Sequence, residues 1–354
     1  MLHRVDDGVF SEVREMMCGL NGKRCLSVLV CAPLLIAGIF ACLGVSVRAQ
    51  SAGQGWEKAA GGKQQFEVAS VRQNKSEGDS YSNFNLDGDS NAYWVIDRHD
   101  PLAPGGDLFT TKNIPLIRYI VFAYRLSGTQ ELALRFDFYE GLRSHVPAWV
   151  KDDRYDMDAR APGLATKDQM RLMMQSLLAE RFQFKAHWET REVPVFALVE
   201  EKPGNVGAQL EAHRASDDCA KTDLPESAAK TAASAPLLSA LPIPCGWIAH
   251  LPASGPGSRR FGGRNVTLAM LGTSMPAQTG LVTLPRPVVD RTGLKGGYDF
   301  WMEWTPEDTS EVNNTETGGT FREALKNQLG LKLEPAKGPV QVLVIDHVEQ
   351  PTAN

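Results

Sequence analysis

The chain has 354 residues, 43% of them hydrophobic, and its formal net charge at pH 7 is −5. This length suffices for one large domain or two small ones. The mild acidity gives no sign of the basic stripe typical of nucleic-acid-binding proteins or of a polybasic anchor for anionic lipid, so we expect no nucleic-acid partner.

Residues 1–49 have the pattern of a targeting segment. Lys23 and Arg24 precede an apolar stretch over residues 26–45, and small residues around Arg48 suit a signal peptidase. Because the apolar stretch approaches the roughly 20 residues that span a bilayer, an uncleaved anchor in the inner membrane is the alternative. Both interpretations predict an exported protein, periplasmic or extracellular, that touches the membrane only through this segment.

The cysteines agree with export. Of the six, only Cys219 and Cys245 lie outside the targeting segment. Two cysteines in an oxidising compartment predict one disulfide. A metal site is the alternative, but the sequence has no CxxC motif and we identify no third ligand nearby, so we expect neither a metal nor another cofactor.

Two segments share the pattern F-x-x-[K/R]-N-[I/V]-x-L, one beginning at Phe109 and the other at Phe261. We predict that Asn113 and Asn265 cap a helix in each segment. A fixed pattern that opens two similar series of elements predicts an internal duplication.

The elements that follow are also similar in the two copies. A strand begins with Tyr-Asp at Tyr155 and at Tyr298, and a helix begins with a threonine capping box at Thr166 and at Thr320. Each copy is then predicted to close with a hairpin, formed by residues 182–188 and 193–199 in the first copy and by residues 331–333 and 340–345 in the second. The predicted fold class is α+β, with two small units of order helix-strand-helix-strand-strand and a mostly antiparallel sheet in each.

The remaining segments complete the domain organisation. Residues 66–72 alternate as a strand does, residues 75–107 have the composition of a loop, and residues 203–258 are rich in Ala, Ser, Pro and Gly. The predicted parts are a targeting segment (1–49), a flexible leader (50–65), an N-terminal strand, loop and first repeat (66–202), a linker with the cysteine pair (203–258) and a second repeat (259–354).

Two places are candidate ligand sites. Asp299, Trp301 and Glu303 alternate with core positions of the second Tyr-Asp strand, so an outward aromatic between two carboxylates is predicted there, with cover by a loop as the alternative. Asp290 and Arg291 can bind an anion or orient a substrate, but they can equally brace the turn that follows them.

Catalytic motifs are incomplete, and we assign no catalytic residue. Ser274 lacks the glycine pattern of a nucleophile elbow. Residues 87–91 have the oxygen spacing of a calcium loop but lack its glycine and final glutamate, so a solvated turn is favoured. We therefore favour a non-enzymatic binding or sensory module for a peptide, a glycan or an envelope protein. The alternative is an extracytoplasmic hydrolase that uses His187, Asp290 and His347 between the repeats.

Several longer segments carry a family resemblance. They are residues 66–72, 147–149, 154–157, 174–182, 187–198, 288–294, 298–300 and 344–347. With them the chain resembles a soil-associated acidobacterial family of exported proteins of unknown function. Some members of that family are joined to a membrane-embedded peptidase of the β-lactam-sensor type, which implies a sensing role by association. The segment over residues 131–145 is longer and more aromatic than the corresponding segment in that family.

Overall fold

The computed structural model describes residues 55–88, 92–93, 106–216, 219, 241, 243–279, 284–306 and 319–351. The predicted targeting segment and the first residues of the leader lie outside these ranges. In chain order the elements are α1 (Gly55–Ala59), β1 (Val68–Asn74), β2 (Tyr81–Ser82), β3 (Ala92–Tyr93), β4 (Leu108–Pro115), α2 (Leu116–Ala123), α3 (Gly128–Phe136), α4 (Ala148–Asp152), β5 (Arg154–Arg160), α5 (Lys167–Arg181), β6 (Lys185–Glu200), β7 (Leu210–Ala212), β8 (Trp247–Leu251), β9 (Arg259–Val266), α6 (Leu268–Thr279), β10 (Val288–Asp290), β11 (Tyr298–Trp304), α7 (Phe321–Leu329) and β12 (Leu331–His347).

The strands form three sheets. Their orders are β1-β5-β4-β2, β7-β11-β9-β8-β3 and β10-β6-β12. Most neighbours are antiparallel, and the parallel pairs among the described strands are β3 with β8 and β10 with β6. The α+β class with mostly antiparallel sheets is therefore confirmed.

Corresponding strands of the two halves pair in the same register. We call residues 68–200 without β3 the first unit and residues 210–347 together with β3 the second unit, because β3 pairs with β8. In the first unit β5 lies between β1 and β4, and in the second unit β11 lies between β7 and β9. Phe109 faces Ala159 just as Phe261 faces Met302, and both ladders shift register at the asparagine of the shared motif. The common origin of the units stays a prediction.

Asn113 and Asn265 are not helix N-caps, contrary to the prediction. Each has a positive φ, 54° and 50° respectively, near the end of a strand. The helices begin later, at Leu116 and Leu268. Asparagine tolerates the left-handed region better than most residues, so it suits the register shift between the strands. Each copy consequently begins with a strand and not with a helix.

The predicted closing hairpins are single long strands. β6 and β12 have 16 and 17 residues, and they pair antiparallel along nearly their full length. A tight hairpin needs residues that accept positive φ, and the Thr-Arg-Glu sequence at residues 190–192 supplies none. Pairing between the halves therefore replaces pairing within each half, and it joins the two units through one ribbon.

Each unit has an apolar core to which the long strand of the other unit contributes, through Leu343 in the first core and through Phe196 and Leu198 in the second. In the first unit, residues of β4 and β5 pack under α2 and α5, and in the second unit, residues of β9 and β11 pack under α6 and α7. A third cluster forms where Leu132 and Tyr139 cover Val195 and Val342 on the ribbon. The unusual segment at residues 131–145 thus covers the junction of the two units.

The predicted leader and linker both contain regular structure. α1 lies in the leader, and the linker contributes β7 and β8 to the second sheet. β7 therefore takes the place beside β11 that β1 takes beside β5. Within the described part of the chain, no helix has the length and apolar character needed to cross a membrane.

Candidate functional site

The predicted ligand surface on β11 is buried. Asp299, Trp301 and Glu303 are 4%, 8% and 7% exposed. Trp301 packs in a cluster with Leu241 and Trp247, which belong to the segment preceding and forming β8. This segment covers the face of β11 that the sequence pattern predicts to be outward, so Trp301 cannot serve as an open platform.

Glu303 is held by several partners in this buried layer. One of its carboxylate oxygens lies 2.5 Å from Nε of Arg260, and the other accepts a hydrogen bond from the backbone N–H of Ser254 at 3.0 Å. The Arg260 guanidinium lies 5.0 Å from the centre of the Trp301 ring. A buried carboxylate is tolerated when it is paired and hydrogen-bonded, as this one is.

Asp290 braces the turn after β10, and Arg291 bonds to β12. Asp290 Oδ1 accepts hydrogen bonds from the backbone N–H and the hydroxyl of Thr292, at 2.9 and 2.8 Å. The Arg291 guanidinium donates to the carbonyl oxygen of Lys337 at 2.5 Å. One oxygen of Asp290 is therefore used in the turn after β10, and the Arg291 guanidinium is anchored on the backbone of β12.

The three residues proposed for a hydrolase do not lie together. His187 bonds to Asp346 at 2.8 Å, and His347 bonds to Glu349 at 2.7 Å, all near one end of the ribbon. Asp290 pairs opposite Leu198, eleven residues along β6 from His187. At about 3.3 Å per residue this separation is about 36 Å. No single substrate atom can meet all three groups, so this composition of a hydrolase site is wrong.

Asp87 lies in a buried ion-pair cluster and not in a solvated turn. Its carboxylate bonds to the ammonium group of Lys167, while Arg171 donates to the carbonyl oxygen of Gly88 at 2.9 Å. Burial raises the pKa of Asp87 and lowers the pKa of Lys167. The cluster joins Asp87 and Gly88, which follow β2 in the chain, to the first turns of α5. Residues 89–91 of the calcium-like pattern lie outside the described residues.

In the first unit, Asp156 of β5 accepts hydrogen bonds from two asparagines. Asp156 Oδ1 accepts hydrogen bonds from the backbone N–H of Asn113 at 2.8 Å and from the side-chain amide of Asn74 at 2.7 Å. The side chain of Asn113 in turn donates to the carbonyl oxygen of Gly78. This network fixes the positive-φ residue at the register shift between β4 and β5.

In the second unit, a histidine takes the place of one asparagine. Asp299 Oδ1 accepts from the backbone N–H of Asn265 at 2.7 Å and lies 2.8 Å from Nδ1 of His213. Ala212 faces Tyr298 as Gln73 faces Tyr155, so His213 occupies the position of Asn74. The two networks share the aspartate and the backbone bond and differ in this side chain.

A disulfide between Cys219 and Cys245 lies beside His213, which confirms the predicted pairing. His213 Nε2 is 3.4 Å from the sulfur of Cys219 and 4.0 Å from that of Cys245. The side-chain amide of Asn265 also approaches the Cys219 sulfur, at 3.7 Å. We call His213, Asp299, Asn265 and the two cysteines the His213–cystine cluster.

The predicted absence of a third ligand near the cysteine pair is wrong. Among the described residues, His213, Cys219 and Cys245 have candidate ligand atoms all within 4.8 Å of one another. His213 stands only six residues before Cys219, so a third ligand type was present near the pair. The contribution of Asp299 becomes visible only once β7 pairs with β11.

A groove lies between α1 and α5. Its volume is about 700 Å³, and its polar lining includes Glu57, Lys58, Lys63, Gln175 and Ser176. The Gln175 amide donates to a Glu57 carboxylate oxygen at 3.0 Å. We call this the α1–α5 groove.

Tyr124 also lines the α1–α5 groove. Burial, with a smaller contribution from the negative charge of Glu57, raises the pKa of Tyr124 to about 12. Its hydroxyl is therefore protonated at neutral pH and remains a hydrogen-bond donor.

The comparisons with known proteins give one family. Residues 119–348 match the family model described as Protein of unknown function (DUF3738). Searches of curated proteins and of solved structures found no match.

Proposed function

The chain belongs to the DUF3738 family, and because that family has no assigned function, we propose one from the geometry: an exported, non-enzymatic module that binds a short peptide in the α1–α5 groove. The groove is the observation that carries the proposal. Its volume of about 700 Å³ falls within the roughly 300–1,000 Å³ range of small-ligand sites.

The lining of the groove suits a peptide with free termini. Lys58 and Lys63 are exposed ammonium groups that can meet a carboxylate, and Glu57 can meet an amine. The Gln175 amide already donates to Glu57 and Ala123, and the Ser176 hydroxyl donates to Gln64. The oxygens of these two side chains remain as acceptors for peptide N–H groups. A neutral glycan gains much less from the three charged side chains, so these charges favour a peptide.

Export is supported by the cystine and by the targeting pattern. Disulfides persist mainly in oxidising compartments, and the Cys219–Cys245 bond is formed here. The pattern over residues 1–49 directs the chain to such a compartment. A sensory role follows if occupancy of the groove is communicated to a partner protein in the envelope.

The test is ligand-induced stabilisation of the intact chain. Short synthetic peptides with free termini are expected to raise the melting temperature progressively as the peptide concentration increases, because a ligand that binds only the native state adds about 2.7 kcal/mol at a concentration of 100 Kd. Neutral oligosaccharides serve as the comparison ligands. The proposal is contradicted if only the oligosaccharides stabilise the chain. It is also contradicted if no peptide in a varied panel stabilises it.

A matched pair of variants locates the site. Lys58→Glu reverses a charge at the α1–α5 groove, whereas Lys295→Glu reverses an exposed charge in the turn before β11. We expect the first variant to weaken peptide binding at least about tenfold, a loss of about 1.4 kcal/mol, and the second to leave it unchanged. Equal binding by both variants contradicts the assignment of the groove.

A further inference from the structure

We propose that the His213–cystine cluster is a redox-controlled metal site. After reduction of the disulfide, the thiolates of Cys219 and Cys245 and Nε2 of His213 bind a thiophilic divalent cation of the zinc class. The site lies in the second unit and does not depend on the peptide-binding proposal.

The orientation of His213 is the first argument. An ionised carboxylate only accepts hydrogen bonds, so the 2.8 Å contact between Asp299 and Nδ1 places the imidazole proton on Nδ1. The lone pair of Nε2 then points at the two sulfurs, neither of which carries a proton in the disulfide. The side chains of His213 and Asp299 are 7% and 5% exposed. In metal-binding histidines, the ring N–H that faces away from the metal usually donates to a carboxylate or a carbonyl group, as Nδ1 of His213 donates to Asp299 here.

The distances are the second argument. Zinc binds thiolate sulfur at about 2.3 Å and imidazole nitrogen at about 2.0–2.1 Å, so tetrahedral ligand atoms lie roughly 3.5–3.8 Å apart. Nε2 of His213 already lies 3.4 and 4.0 Å from the two sulfurs. Only the sulfurs must move apart once their bond is broken. The Cα atoms of the two cysteines are 5.5 Å apart, which leaves both side chains able to face one ion.

The first unit supplies the third argument. There the amide of Asn74 satisfies the equivalent aspartate, Asp156, with one hydrogen bond. Folding of the second unit therefore requires only a donor at this position. The imidazole of His213 adds a second nitrogen, Nε2, and that nitrogen faces the sulfurs.

The chemistry balances with a dithiol as reductant. Thiol–disulfide exchange breaks the Cys219–Cys245 bond, forms two thiols on this chain and converts the dithiol to its own disulfide. Metal binding then releases the two thiol protons, since thiolates are the ligands. Cys219 is exposed, which gives a reductant access to its sulfur. Three protein ligands leave the fourth position of the ion for water or another ligand.

The experiment uses Co²⁺ as a spectroscopic probe of the full chain. The thiols of the targeting segment are first removed by serine substitution at Cys18, Cys25, Cys31 and Cys42. A phosphine reduces the disulfide without adding thiols that compete for metal. We expect the reduced chain to bind a single Co²⁺ ion with thiolate charge-transfer and tetrahedral ligand-field bands, and the oxidised chain to show neither. Identical spectra for the two states overturn the proposal.

Matched variants assign the ligands. His213→Asn restores the first unit's arrangement and Cys245→Ser removes a thiolate, and we expect each to weaken Co²⁺ binding at least about tenfold. Asp299→Asn removes the carboxylate behind the ligand, with an expected loss of about 10–100-fold. His145→Asn changes an exposed histidine outside the cluster and should bind like the parent chain. Parent-like binding by both His213→Asn and Cys245→Ser overturns the proposal even if Asp299→Asn fails to fold.

Discussion

The two Tyr-Asp strands, β5 and β11, begin alike but are covered differently. In β5, residues alternate between the core and the surface, so Asp158 and Arg160 are exposed. In β11 all seven residues are buried. Trp301 and Glu303 occupy the positions of Asp158 and Arg160. The second unit therefore encloses a strand that the first unit leaves open on one face.

The strand beside β11 makes room for its aromatic side chains. Gly262 and Gly263 stand where the first unit has Thr110 and Thr111. A Cβ atom at Gly263 would lie 2.5 Å from the Phe300 ring, and one at Gly262 would lie 2.7 Å from the carbonyl oxygen of the same residue. These contacts are closer than side chains tolerate. The two glycines are therefore needed for β9 to approach β11 as closely as it does.

Alternation alone misleads when a later segment covers the polar face. Asp299 and Glu303 are acidic residues of the kind that usually lie at the surface. Each is nevertheless buried, Asp299 beside His213 and Glu303 beside Arg260. The comparison teaches that the same motif can serve an open sheet and a closed one. Whether the strand is open or enclosed depends on chain outside the motif, here Leu241, Ile243 and the residues of β8.

The largest effect is expected for removal of the enclosed aromatic. Trp301→Ala should lower the free energy of unfolding by about 3–5 kcal/mol, because it leaves a cavity under the covering segment. The equivalent change in the first unit, Asp158→Ala, alters an exposed residue and should stay within about 0.5 kcal/mol. Denaturant unfolding of both variants checks the difference. Equal small effects would mean that Trp301 is open to solvent.

A smaller effect is expected for the shared aspartates. Asp299→Ala leaves the Asn265 N–H and the His213 ring N–H without their acceptor in a buried site, which should cost about 3 kcal/mol. Asp156 is half-buried, and water can replace part of its bonding, so Asp156→Ala should cost about 1–2 kcal/mol. Thermal and denaturant unfolding of both variants measure this ranking. A larger loss of unfolding free energy for Asp156→Ala than for Asp299→Ala would mean that the first unit depends more on its network, which contradicts this prediction.

Local signals in the sequence predicted local structure well. Both threonine capping boxes are present, at Thr166 and at Thr320, because their bonds join residues three apart. The long strands β6 and β12 were interpreted as hairpins, since their partner lies about 150 residues away in sequence and leaves no mark in a short window. The asparagine caps were wrong for a related reason: each backbone N–H bonds to an aspartate on another strand.

The candidate site was predictable in part. The disulfide followed from the number of cysteines and the expected compartment. The contact between His213 and Asp299 depends on the pairing of a three-residue strand, β7, inside a segment whose composition indicates a linker. The groove depends on α1, which lies in a stretch with the composition of a flexible leader.

The measurement that most directly tests the equivalence of the two networks is the unfolding free energy of His213→Asn with the disulfide intact. If His213 occupies the structural position of Asn74, asparagine can donate to Asp299 as Asn74 donates to Asp156. The account predicts a change of less than about 1 kcal/mol, since one hydrogen bond replaces another. A loss of about 3 kcal/mol, as large as that expected for Asp299→Ala, would contradict it.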